Sequence, residues 1–260
     1  MAMGDFDGRV VVVTGGSTGI GAATVAIIAA AGGSVVYCTH DAATLPPAGT
    51  YPDSVVGVVA DVASTEAMQG LVDLAVDRFG GLDAVVCSAG IQTYGTVEDT
   101  SEDDWLRVLD VNLTGIFRVT KAAIPHLRAR GGGSIVTVSS VQGSTPNPRV
   151  AGYSTSKAAV DAITRSLAVD FAIDGIRANS VAPGPIDTPL LRVRDETVQR
   201  PVTGPAPNAP SGLHGRLGRP AEIGEVIAFL AGPRSTYMTG ATVYVDGGMT
   251  TTQGRVVFPE

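Results

Sequence analysis

The sequence predicts an α/β fold, a doubly wound parallel sheet of seven strands with helices on both faces. Three observations carry this. Seven short apolar runs alternate with longer helical segments along the chain, the β-α-β-α order whose right-handed crossovers make neighbouring strands parallel. The first of these runs is continuously β-branched rather than alternating with polar residues, as a strand covered on both faces requires. That first run also passes through a cluster of glycines directly into an alanine-rich helix.

Taken in order, Arg9-Val-Val-Val-Val-Thr14 is the first strand. Thr14-Gly-Gly-Ser-Thr-Gly-Ile-Gly21 follows, and Ala22 to Ala31 forms a helix that Gly32-Gly33 ends. Strand, glycine turn and helix in this order are the setting for a dinucleotide. Glycines allow a tight turn and close backbone approach to a pyrophosphate, and the helix N-terminus supplies free N–H groups and a positive dipole end. Gly15, Ser17, Thr18, Gly19, Ile20 and Gly21 are therefore candidate cofactor contacts, on a G-x-x-x-G-x-G spacing.

Ser34 to Thr39 is the second strand, and its tip, Thr39-His40-Asp41, is where an adenosine ribose would lie. No Lys or Arg occurs between Val10 and Asp77, so His40 is the only basic group on this edge for a 2′-phosphate. That favours NAD over NADP, with Asp41 or Thr39 on the ribose. Ser54 to Ala60 is the third strand, with Asp61-Val62 at its end. Ser64 caps a helix reaching Phe79, with Glu66 in its first turn. Leu82 to Cys87 is the fourth strand and leads into Ser88-Ala89-Gly90.

Ser101-Glu-Asp-Asp104 is a capping box, and the helix it opens is expected to run unbroken towards Arg130, with Asn112 inside it. Pro125 is placed to kink this helix, and Gly131 to Gly133 end it. Asn112 among apolar neighbours is either a satisfied core amide or a site residue. Ser134 to Ser139 is the fifth strand, ending at Ser140, and a long helix then carries Tyr153 and Lys157 on to Phe171. Ile176 to Val181 is the sixth strand, closed by Pro183-Gly184-Pro185. The proline-rich stretch from Pro189 to about 219 reads as a lid on the cleft. Pro220 opens the last helix, Thr242 to Val245 is the seventh strand, and residues 249–260 form a tail on an otherwise single domain.

Composition narrows the function. A net charge of −7 argues against nucleic acid or an anionic membrane as partner. Val10 to Thr39 carries no charge, yet its glycines break every stretch long enough to span a bilayer. The first residues hold acids and no base before Arg9, unlike a signal peptide. Cys38 and Cys87, at the ends of buried strands and without paired spacing, read as reduced packing residues of a cytoplasmic protein. No metal-ligand spacing is present, and His126, His214 and Trp105 read as structural.

Tyr153 and Lys157 are four apart, so a helix places phenol and ammonium on one face. A neighbouring cation lowers a phenol pKa from its usual value of about 10 and makes it a usable general acid or base. The bland alternative is an amphipathic surface pair.

Thr14-Gly-x-x-x-Gly-x-Gly21, Asn112, Ser140, Tyr153-x-x-x-Lys157 and Pro183-Gly184 stand in a fixed order. Together they resemble the short-chain dehydrogenase/reductase family over about residues 8 to 248. The resemblance implies a Rossmann-type sheet of order 3-2-1-4-5-6-7 and an NAD(P)-dependent oxidoreductase. Such an enzyme moves a hydride between nicotinamide and a secondary alcohol or ketone. It also implies roles. Tyr153 would be the acid/base, and Lys157 would lower its pKa and hold the nicotinamide ribose. Ser140 would bind the substrate oxygen, and Asn112 would support a water relay. Ile186 and Thr188 would meet the nicotinamide amide, Asp61 and Val62 the adenine, and Ala89 and Gly90 the ribose. Family members commonly form homotetramers.

Two positions depart from the pattern. Ser88 stands where the family often has an amide, and the acid at the second strand tip is Asp41 rather than residue 39. Substrate contacts are expected from Gln92, Tyr94, Val141, Gln142, Asn147 and Arg149, and from Leu190 and Leu191 of the lid. That mixture fits a cyclic polyol, a sugar, a keto acid or a polycyclic ketone. A catalytically silent dinucleotide sensor on the same fold is the rival reading, and it should have lost Ser140, Tyr153 or Lys157. An epimerase or dehydratase would need a larger substrate domain.

Overall fold

A computed structural model of the chain describes residues 4–192, 213 and 215–251. Seven strands are present: β1 (Val10–Thr14), β2 (Ser34–Thr39), β3 (Val55–Val59), β4 (Ala84–Cys87), β5 (Gly133–Val138), β6 (Ile176–Pro183) and β7 (Thr242–Val245). They form one sheet in the order β3-β2-β1-β4-β5-β6-β7, every neighbouring pair parallel. Helices α1 (Gly19–Ala30) and α7 (Pro220–Ala231) pack on one face. The other face is covered by α2 (Thr65–Phe79), α4 (Gly115–Ala129) and α5 (Ala151–Asp170). A short α3 (Glu102–Leu109) precedes α4, and a four-residue α6 (Pro189–Arg192) precedes α7.

The valine run of β1 explains the double cover. Val10 and Val12 enter the core on the α2 side, and Val11 and Val13 the core on the α1 side, as the two-residue period of a strand dictates. All four are essentially without solvent contact. Order reverses between β1 and β4, and the crevice at the C-terminal ends of those strands is where open α/β sheets bind ligands.

The segment expected as one helix from Ser101 to Arg130 is interrupted. Ser101 does cap it, its Oγ accepting from Asp104 N at 3.1 Å. After α3 the backbone widens into a π-helical turn over Asp110–Thr114 before α4 begins. A π turn inserts one residue, turning side chains off the regular helical face, and such turns recur at functional sites. Asn112 lies inside it. Pro125 lies inside α4, which continues through it. Pro125 and Lys121 both face solvent, so the carbonyl freed by the missing N–H meets water. The sixth strand also runs two residues further than expected, to Pro183. Most of the expected lid and tail, residues 193–212 and 252–260, and His214 lie outside the described residues. Among the described residues no helix is long and apolar enough to cross a membrane.

Cys38 and Cys87 are buried free thiols that both pair in register with Thr14, one on each side of β1. Two strand spacings separate them by about 9.5 Å, beyond disulfide reach. Burial pushes Cys38 up to about 11 and Cys87 up to about 12, so neither forms a thiolate at neutral pH. A thiol-alkylating reagent at mildly alkaline pH should therefore leave the native protein unmodified and label both sites once it is unfolded in denaturant. Rapid labelling of the native protein would contradict this burial.

Candidate active site

The C-terminal ends of the strands enclose a cleft of about 440 Å³, within the range of small-molecule sites. At one end lies the glycine turn. Gly15 and Gly19 adopt φ of +67° and +55°, a region that disfavours residues with a Cβ. A Cβ on Gly15 would lie 2.7 Å from the Ala89 Cα, and one on Gly21 only 2.1 Å from the Gly15 carbonyl oxygen. The glycines are therefore demanded by the close approach of the turn to itself and to the end of β4. α1 starts at Gly19 behind Thr18, whose side chain makes no cap, so the first N–H groups of the helix face the cleft end. These features fit a dinucleotide pyrophosphate.

The floor is built where β5 meets α5. Ser140 follows β5 and Tyr153 sits in the first turn of α5, and the two hydroxyls hydrogen-bond each other. Lys157 is one turn on, its Nζ donating to the Val138 carbonyl at 2.8 Å and lying 5.6 Å from the Tyr153 ring centre. Ser139 Oγ donates to the Lys157 carbonyl at 3.0 Å, fastening the helix to the strand end. Tyr153, Ser140 and Lys157 are all buried. Burial pushes the phenol up to about 12, with the Ser140 bond pulling the other way. The net shift of the phenol is therefore upward, because desolvation outweighs the hydrogen bond from Ser140. Burial also lowers Lys157 to about 8, which leaves it an ammonium at neutral pH.

Asn112 stands behind Lys157 as a nearly saturated amide. Its Oδ1 accepts from Ile91 N at 2.8 Å, and Nδ2 donates to Ile91 O at 2.9 Å and to Ser156 Oγ at 3.0 Å. One lone pair of Oδ1 is left. It faces the space beside Gly90, where an added Cβ would lie 3.3 Å from Oδ1 and 3.5 Å from Lys157 Nζ. Ser156 in turn donates to the Tyr153 carbonyl at 2.7 Å, so the π turn is tied to the first turn of α5.

Of the residues expected to meet a dinucleotide's adenosine and ribose, Ser17, Thr39, His40, Asp61, Val62, Ser88, Ala89 and Gly90 line the cleft wall. Asp61 is committed locally, accepting from Ala63 N at 2.9 Å. Arg118 braces the Val62 carbonyl at 3.2 Å while paired with Asp110 at 2.6 Å. The two ribose candidates part here, Thr39 lining the cleft and Asp41 not. β2 stops at Thr39, and Asp41 turns its carboxylate to Ala43 N at 2.9 Å, capping a 3-10 turn over Ala42–Thr44. It does not line the cleft, whereas Thr44, which the sequence did not single out, does.

Pro183, Gly184, Ile186 and Thr188 also line the cleft, followed by Leu190 and Leu191 of α6. Thr188 packs on the glycine turn, its Cγ2 3.2 Å from where a Cβ on Gly19 would lie. Gln92, Val141, Gln142 and Asn147 also line it. Two expected substrate contacts fall outside the lining. Arg149 has φ of 62° and pairs with Asp99 at 2.8 Å. Tyr94 is beside the cleft, close enough to raise the Tyr153 phenol further. Arg107, one turn before Val111, lines the rim, and nothing in its surrounding sequence marks it.

A family model described as enoyl-(acyl carrier protein) reductase matches residues 15–250. The cis-4-hydroxycyclohexanecarboxylate dehydrogenase of Sinomonas cyclohexanicum is 39% identical over 252 residues, covering 94% of this chain and 98% of that one. The 3-oxoacyl-(acyl carrier protein) reductase of Vibrio cholerae is 33% identical over 246 residues, with coverage of 94% and 98%. Among solved structures, the ligand-free aldohexose dehydrogenase of Thermoplasma acidophilum superposes with a TM-score of 0.85 at 32% identity, each chain covered completely.

Proposed function

Since the chain belongs to the short-chain dehydrogenase/reductase family and is an NAD(P)-dependent oxidoreductase of CH–OH groups, we propose a narrower reading of its chemistry. The substrate is a ring-bearing secondary alcohol or the matching ketone, the preferred dinucleotide is NAD, and Tyr153 moves the proton. The observation that carries this is the pairing of the Tyr153 and Ser140 hydroxyls on the buried floor of a cleft that opens onto the glycine turn.

The chemistry a bound nicotinamide contributes is hydride transfer at the substrate carbon. The protein's own groups handle the oxygen. Ser140 Oγ and Tyr153 Oη converge on one point and hold the substrate oxygen by two hydrogen bonds. In reduction Tyr153 gives its proton to that oxygen, and in oxidation it takes the alcohol proton. Lys157 holds the ribose beside the ring and its positive charge opposes the burial that keeps the phenol protonated. The remaining Oδ1 lone pair of Asn112, beside Lys157 Nζ, is suited to a water that returns protons to the floor.

Three observations support a ring-bearing substrate. The substrate end pairs an aliphatic wall, Val141, Leu190 and Leu191, with the carboxamides of Gln92, Gln142 and Asn147. Gln142 Oε1 is buried, and no donor among the described residues reaches it, so a substrate hydroxyl would satisfy it. Two relatives are named as dehydrogenases of a hydroxycyclohexanecarboxylate and of L-fucose, compounds that can present a hydroxyl on a ring. We further read the protein as one catalytic unit, a cytoplasmic homotetramer. The exposed apolar Leu106 and Phe117 on the α3–α4 outer face support subunit contacts.

Incubating the protein with NAD⁺ and a panel of cyclic hydroxy acids, sugars and alicyclic alcohols should produce near-ultraviolet absorbance of reduced nicotinamide. Turnover is expected with at least one ring alcohol and to be weaker with open-chain ones. No turnover on the whole panel, together with a dinucleotide-induced rise in melting temperature, would instead favour a silent binding protein.

A further inference from the structure

Asp41 turns away from the cleft at the tip of β2, and three hydroxyls line it there instead. The carboxylate that does line this wall, Asp61, accepts from Ala63 N. Ser17, Thr39 and Thr44 all line the cleft. Thr44 Oγ1 is their hub, 2.8 Å from Ser17 Oγ and 2.7 Å from Thr39 Oγ1. Each hydroxyl has one proton and two lone pairs. Thr44 donates its proton to the Asp41 carbonyl at 2.8 Å. Both short contacts then require Ser17 and Thr39 to donate to Thr44, whose two lone pairs they fill. Thr39 Oγ1 additionally accepts from Asp41 N at 3.2 Å and has a longer alternative contact, 3.3 Å, to the Asp41 carbonyl.

The arrangement that makes every short bond spends all three protons inside the cluster. What remains for a ligand is lone pairs, two on Ser17 Oγ and one on Thr39 Oγ1. Resting on the dinucleotide reading above, we infer that this hydroxyl cluster, organised by Thr44, is the determinant of NAD over NADP and does as a neutral acceptor what a carboxylate does elsewhere. A ribose 2′-hydroxyl is a donor and meets free lone pairs. A 2′-phosphate only accepts, so Ser17 and Thr39 would have to turn their protons outward and give up both bonds to Thr44. Asp41 contributes by building the turn that carries Thr44, through its side-chain cap of Ala43 N and its carbonyl. Its exposed charge is screened.

Equilibrium binding of NAD⁺ and NADP⁺, followed by titration calorimetry, tests this without turnover. The wild-type protein should bind NAD⁺ at least about tenfold more tightly. Thr44→Val keeps the shape and removes the hub, freeing two protons to point at the ligand. The preference should fall by about tenfold or more, through weaker NAD⁺ and tighter NADP⁺ binding. Thr44→Ser should keep the wild-type ratio. Asp41→Asn, which still caps the turn, should change it by less than about threefold. If Thr44→Val folds poorly, Thr44→Ala should give the same loss of preference. An unchanged ratio in the Val and Ala variants, or collapse of the preference in Asp41→Asn, would overturn this assignment and leave the dinucleotide reading standing, whereas equal wild-type affinities would overturn the NAD preference with it. Failure to bind either dinucleotide would overturn both.

Discussion

Replacing Tyr153 with Phe should lower kcat by about 10²–10⁴-fold, the range that one positioned proton-transfer group contributes. The substitution removes a single oxygen from a side chain that is 6% exposed and leaves the ring against its neighbours. Ser140 keeps another partner, since its Oγ accepts from Gln142 N at 3.2 Å. Stability should therefore change by no more than about 1–2 kcal/mol. Dinucleotide affinity, measured separately by calorimetry, should stay near wild type. A variant within tenfold of wild-type kcat would sink the assignment of Tyr153.

The pH dependence has a definite sign. Burial holds the phenol at about 12, well above neutrality, so the protonated form needed for ketone reduction is present throughout the neutral range. The deprotonated form needed for alcohol oxidation grows as pH rises towards the phenol's value. Wild-type oxidation should speed up from neutral to mildly alkaline pH while reduction does not. The residual activity of Tyr153→Phe should lose that rise.

Gly21→Ala should abolish dinucleotide binding and destabilise the fold. In an ordinary helix interior this change stabilises by about 0.5–1 kcal/mol. At Gly21 the new Cβ would sit 2.1 Å from the Gly15 carbonyl oxygen and 2.8 Å from its carbonyl carbon, both backbone atoms. Either the turn or α1 must move, and overpacking of this kind costs about 1–3 kcal/mol. For a domain of this size that is a drop of roughly 2–4 °C in Tm per kcal/mol. The same movement displaces the N–H groups expected to hold the pyrophosphate, so dinucleotide affinity should fall by more than about a hundredfold. Gly70→Ala is the matched control. It lies in α2 with nothing within 4 Å of an added Cβ, and should raise Tm slightly without touching binding. Wild-type affinity in Gly21→Ala would show that the turn does not cradle the ligand.

Much of the site was legible because its signals are local. Gly21 answers to a steric demand within the turn, at the Gly15 carbonyl, although Gly15 also leaves room for Ala89, far along the chain. Tyr153 and Lys157 share a face because four residues make about one helical turn. The hydroxyl pairing of Ser140 with Tyr153 was less local, yet a strand end and a helix start can be placed from hydrophobic runs and their flanking residues. Asn112 was legible only as a choice between core amide and site residue. In the structure the amide makes three bonds to neighbours and keeps one Oδ1 lone pair beside Gly90, where the π turn carries it. No periodicity marks that inserted residue.

The tip of β2 and the loop before α5 were read less well for a different reason. Asp41 and Arg149 carry the right chemistry at the right positions along the chain, but each has a nearer partner. Asp41 caps a turn two residues on, and a side chain that can bond its own backbone often ends a strand in doing so. Arg149 meets Asp99, a residue fifty positions away in the chain. By itself, then, the sequence determined the number of strands and their parallel sense, the glycine turn, and the shared face of Tyr153 and Lys157. All of these follow from residue periodicity and steric need. Only the tertiary structure decided which way burial moves the Tyr153 phenol, which partners hold Asn112, and that hydroxyls rather than Asp41 line the cleft at the tip of β2. Those outcomes depend on desolvation and on competition among hydrogen-bond partners, and both exist only once distant segments are packed together.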